Sequence, residues 1–106
     1  MTDAIVVLCT CPDEESARRI ASILVQEKLA ACVNLLPAVT SIYIWQGNME
    51  ESQEIQLVMK SRRTLFHVLE QRVAELHPYE VPEIIALPIL CGNASYLHWL
   101  QEQTSP

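Results

Sequence analysis

Glycine is almost missing from this sequence: Gly47 and Gly92 are the only two in 106 residues. Loops that cradle phosphate need several glycines close together so that backbone amides can approach the anion, so that chemistry is excluded. Basic residues are also few. Seven lysines and arginines stand against thirteen acids, a formal charge of −6, and apart from Arg18-Arg19 and Arg62-Arg63 they are scattered. A nucleic-acid partner, which needs clustered cations, is therefore not expected. No apolar run nears the roughly 18 to 20 residues that span a bilayer. The amino-terminal Met-Thr-Asp-Ala-Ile-Val-Val-Leu lacks the basic start and long apolar stretch of a secretion signal. The resulting expectations are no membrane contact and a cytoplasmic location. No CxxC pair occurs among Cys9, Cys11, Cys32 and Cys91, which excludes zinc-finger and thioredoxin spacings. No Ser/His/Asp set stands in a recognisable context either, so neither an enzyme nor an organic cofactor is expected.

What is present is apolar. Half the residues are hydrophobic and 19% are charged, enough to build one buried core, and no linker or repeat divides the chain. Residues 1–106 read as a single domain. Ala4 to Cys11 reads as a strand apolar on both faces, and Cys9 and Cys11 share one face of it. Pro12 suits a helix start and Asp13, Glu14 and Glu15 suit the positive end of its dipole, so a helix is expected from about 13 to 28. A strand from Ala31 to Trp45, bent at Pro37, meets the turn signal Gln46-Gly47-Asn48. A third strand over 51–60 then completes a long hairpin. Leu65, Val68, Leu69, Arg72, Val73 and Leu76 form one stripe of a helix over 62–76, ended by Pro78. A strand from Ile84 to Leu90 and a short helix from Ser95 to Gln103 follow.

The order β-α-β-β-α-β-α is that of an α+β, ferredoxin-like split β-α-β arrangement with an antiparallel sheet. Pro37 and Pro88 fall in strands 2 and 4, which lie at the sheet edges, and the central strands 1 and 3 have none. Two helices cover only one face of such a sheet. Strand 1, strand 4 and the first half of strand 2 are apolar on both, so the second face would expose more apolar surface than a soluble monomer usually does. Another copy of the chain, helped by the terminal helix, is the expected cover.

The stretches "VVLCTCPDEESA" (6–17), "EKLAACVNLLP" (27–37), "SIYIWQGNMEES" (41–52), "EIQLVMKS" (54–61), "HPYEVPEI" (77–84) and "YLHWL" (96–100) together resemble the CutA family of divalent-cation tolerance proteins. The resemblance runs from about Ile5 to Gln101. It implies a homotrimer packed much as the PII signalling proteins are, with the hairpin crossing to neighbours. It also implies a role in divalent-metal response, with copper or another divalent cation bound near the cysteine of "LCT" and the histidine of "HPY".

Two constellations carry the candidate chemistry. Antiparallel pairing of strands 1 and 4 would bring His77 and Glu83 toward the Cys9 end of strand 1. A thiolate, an imidazole and a carboxylate could then coordinate copper or zinc, the soft sulfur favouring Cu(I). Leu76 stands where the family resemblance implies a second histidine. The structural alternative makes Cys9 a buried core thiol and His77 a helix cap. The second constellation is a cleft from Tyr43, Trp45, Glu54, Lys60, Tyr79 and Glu83, either a small-ligand site between subunits or an interface network. A Cys11–His77 nucleophilic pair at a helix start ranks last.

Overall fold

The computed structural model describes residues 2–106. Four strands, β1 (Ala4–Cys11), β2 (Cys32–Trp45), β3 (Asn48–Arg62) and β4 (Ile85–Pro88), form one antiparallel sheet in the order β2-β3-β1-β4. Three α-helices follow the expected places: α1 (Glu14–Gln26), α2 (Phe66–Leu76) and α3 (Ala94–Gln103). This is the split β-α-β arrangement, with β1 and β3 central and the proline-bearing strands at the edges.

Helix α1 is defined at both ends by local chemistry. Asp13 is its N-cap, which leaves Pro12 just outside the helix rather than at its first position: the carboxylate accepts from the Ser16 amide at 2.8 Å and from the Ser16 hydroxyl at 2.8 Å. At the other end Lys28 takes φ 61°, and its amide bonds Val25 O at 3.1 Å. The Leu29 amide bonds Leu24 O at 2.9 Å. These two bonds are a Schellman closure, which ends the helix before Lys28.

Helix α2 is shorter than its apolar stripe suggests. Arg62 still pairs with Ala4 in the sheet, and a single 3₁₀ turn over Arg63–Leu65 precedes the α-helix. Leu69 and Val73 are fully buried, Phe66 and Leu76 pack beside them, and Val68 faces out. Strand β4 is likewise shorter than the apolar run, pairing only from Ile85 to Pro88.

Both α1 and α2 cover one face. Val7, Cys9 and Cys11 of β1 and Leu57 and Met59 of β3 meet Ala17, Ile20, Leu24, Leu69 and Val73 there. The opposite face carries Val6, Leu8 and Thr10, flanked by Lys60, Val58 and Gln56 on one side and by Leu87 and Ile85 on the other. Helix α3 covers the Ala4 end of it, where Leu100 packs on Ala4 and Ala31. Beyond α3 the face is open: Ile85 and Leu87 are each half exposed.

The β2–β3 hairpin projects past the body, giving a molecule 45 × 25 × 22 Å. Its two-residue loop, Gln46-Gly47, has positive φ at both positions (51° and 84°), the turn geometry that matches strand twist. The register slips between Leu36 and Val39, with Pro37 and Ala38 in the bulge and Ala38 at φ 60°. The slip re-aims the outer half of the hairpin toward the segment that follows α2.

Candidate functional site

The chain leaves α2 at His77 and cannot continue the helix through Pro78. His77 is buried against the Cys11 end of β1. Its Nε2–H donates to Thr10 O at 2.7 Å, and its Nδ1 accepts from the Tyr79 amide at 3.0 Å. This pattern assigns the neutral Nε2–H tautomer. His77 is thus a brace between the end of β1 and the "HPYEVPE" loop, with its ring 4.8 Å from the Tyr79 ring.

Beside it lie both thiols of "CTC". Cys9 Sγ, Cys11 Sγ and a His77 ring nitrogen all lie within 4.8 Å of one another, and all three residues are buried. The pairing of Cys9 with Cys11 divides their acidities. Cys9 is held far above the ordinary thiol value by the adjoining Cys11 thiol, then by burial and by the negative charges of Cys11, Glu83 and Glu54. Cys11 is lowered by the same proximity to Cys9, against the opposing effects of burial, Asp13 and Glu54. The pair therefore holds one proton more firmly than the other.

Glu83 is not a member of this cluster. It is exposed and lines a neighbouring cleft of about 680 Å³ with Tyr43, Trp45, Glu54, Tyr79 and Glu80. Here the hairpin and the loop after α2 meet within one chain. Tyr79 Oη–H donates to Glu54 Oε2 at 2.6 Å. Burial first, and this bond second, push the Tyr79 hydroxyl up, so it stays a neutral donor. Glu54 itself is only 5% exposed.

The structure therefore brings together Cys9 with His77, and Tyr43, Trp45, Glu54, Tyr79 and Glu83 around one cleft. Lys60 stands apart: its Nζ donates to Asn34 Oδ1 and, at 3.4 Å, to Val58 O on the open face. Cys11 completes the thiol-imidazole cluster where the sequence pointed to Glu83. The signal was its position two residues from Cys9, which in a strand means the same face. His67 and His98 are exposed on α2 and α3, away from the cluster.

Comparison with known proteins matches residues 5–103 to the model of the CutA1 divalent ion tolerance protein family. The divalent-cation tolerance protein CutA of Thermus thermophilus is 58% identical over 99 residues, 93% of this chain and 96% of that one. A solved structure of the Thermus thermophilus divalent cation tolerance protein superposes with a TM-score of 0.94 at 56% identity, covering 96% of this chain and 99% of that one. The CutA crystal structure from Xylella fastidiosa gives 0.96 at 42% identity, covering 98% and 100%. This chain belongs to the CutA1 family of divalent ion tolerance proteins.

Proposed function

We propose that the chain is a non-catalytic, cytoplasmic metal-responsive protein that acts as a homotrimer and takes up copper as Cu(I). The observation that carries this reading is the cluster of Cys9, Cys11 and His77, three buried donors within 4.8 Å of one another. Two sulfurs and an imidazole suit a soft cation better than a hard one. Coordination by His77 Nε2 requires that nitrogen to release Thr10 O, and the thiols to lose protons. Uptake is therefore coupled to proton release and to movement of the "HPY" turn. Glu83, the third donor expected from the sequence, contributes charge from the adjacent cleft rather than a nearby ligand atom. The homotrimer rests on the open apolar face of the sheet, which a second copy would cover.

Titration of the reduced protein with Cu(I) against a competing chelator tests the site. One equivalent per chain is expected, with uptake lost in Cys9→Ser and weakened at least tenfold in Cys11→Ser and His77→Ala. Undiminished uptake in Cys9→Ser and His77→Ala together would remove this site.

A second reading is favoured by the cleft itself. Its volume of about 680 Å³ and its Tyr43, Trp45 and Tyr79 rings suit a small organic ligand, in keeping with a PII-like sensor or a trimeric scaffold. Saturable quenching of Trp45 fluorescence by a metabolite, with copper uptake unchanged, would favour this reading over the first.

A further inference from the structure

Two charges in this chain lack the partner that their surroundings call for. Glu54 is 5% exposed, yet its carboxylate receives only the neutral Tyr79 hydroxyl. No lysine, arginine or histidine lines its cleft among the described residues. A buried carboxylate is ordinarily paired, because desolvation without a counter-charge is expensive. Lys60 is the reverse case. It sits on the open face, directly opposite Val6 on β1 and Cys32 on β2, with neutral acceptors only: Asn34 Oδ1 and Val58 O. Among the described residues the ion pairs use Arg18, Arg62 and Arg72, His98 lies beside Glu102, and neither Glu54 nor Lys60 joins such a contact.

The two cannot meet within one chain. They are six residues apart on β3, roughly 20 Å at strand rise, well beyond the reach of a lysine side chain. Burying the open face would also strand Lys60 in an apolar interface unless an acid arrived with the cover. The cation and the acid are complementary, lie on different patches, and each is incomplete alone. That is the requirement for a head-to-tail contact, which makes a ring where the rotation between copies closes.

We propose that a second copy of this chain covers the open face and places its cleft over Lys60, so that Lys60 of each copy pairs with Glu54 of the next. The cleft is then a shared site, with walls from one subunit and its cation from another. This rests on the homotrimer reading above and adds a specific contact to it. The contact fixes the register between copies: a rotation of one subunit that kept the apolar burial but lost the pair would leave two buried charges unpartnered. It also leaves the cleft with a positive group beside its carboxylates and tyrosine.

Sedimentation velocity and native mass spectrometry of the full chain test the pairing. Lys60→Glu should raise the subunit dissociation constant by about a hundredfold or more, the scale expected when one member of a buried pair is removed. Lys60→Glu combined with Glu54→Lys should recover at least tenfold of that. Glu54→Lys can fail to fold on its own account, so a neutral cycle accompanies it. Lys60→Met should weaken assembly strongly in the native background and little in a Glu54→Gln background. Wild-type-like assembly of Lys60→Glu, or equal effects of Lys60→Met in both backgrounds, would overturn the pairing while leaving the oligomer intact. A wild-type mass of one subunit would remove the covering copy and the pairing together.

Discussion

Removing the His77 side chain separates a structural brace from a residue kept only for metal. In His77→Ala, Thr10 O loses a donor at 2.7 Å and the Tyr79 amide loses an acceptor at 3.0 Å. Each such bond contributes about 0.5–1.5 kcal/mol net, and a buried group left without a partner costs about 1–3 kcal/mol. The Tyr79 amide is partly buried and the loop can relax, so the sum is about 2–4 kcal/mol. Loss of the contact with the Tyr79 ring adds to it. His77→Gln keeps a donor and an acceptor on a flexible stem and should recover about half. The assay is urea unfolding of metal-free protein in chelator at matched chain concentration, since assembly makes apparent stability concentration-dependent. The loss should appear as a shift of midpoint at unchanged slope. A destabilisation below about 0.5 kcal/mol in metal-free His77→Ala would refute the brace, because two part-buried hydrogen bonds cannot vanish at so small a cost.

Two further outcomes follow from the caps of α1. Lys28 occupies the left-handed position of the Schellman closure at φ 61°, where a Cβ is strained and glycine is not. Lys28→Gly should therefore raise stability by about 0.5–1 kcal/mol after the entropy of glycine is set against the relieved strain, read as an increased thermal midpoint. Asp13 is held below its ordinary value of 3.8 by the Ser16 amide and then the Ser16 hydroxyl. A depressed folded-state value means stability is present above pH 3.8 and is lost as pH falls through the folded-state value. Asp13→Ala should flatten the acid limb of stability against pH below about 4, and an unchanged limb would count against the cap.

The order of elements and the edge-to-centre order of strands were legible because they rest on patterns the backbone enforces. An apolar run marked β1 and apolar alternation marked β3, and proline cannot donate to a sheet ladder from a central strand, so Pro37 and Pro88 pointed to the edges. Element ends were less legible where pairing overrode pattern. Arg62 belongs to the helical run by sequence but is held in β3 by its pairing with Ala4. Val68 falls on the stripe by spacing but points outward, while Phe66, after the 3₁₀ turn, packs half-buried against the core. The site divides in the same way. Cys9 and His77 could be placed by antiparallel pairing, and the cleft residues by the meeting of hairpin and loop. Glu83 could not, because the segment between Pro78 and Ile84 has no repeating period from which a side-chain direction follows. Cys11 was available from the strand period alone, which puts every second residue on one face. A strand that ends in "CTC" at a helix start gives two thiols one orientation and one histidine to lean on. His77 ties that end to the loop that also supplies Tyr79 and Glu83. The Tyr79 amide holds His77 Nδ1 while the Tyr79 hydroxyl holds Glu54, so one residue touches both groups. The thiol cluster and the acidic cleft are thus joined through three consecutive residues, His77-Pro78-Tyr79.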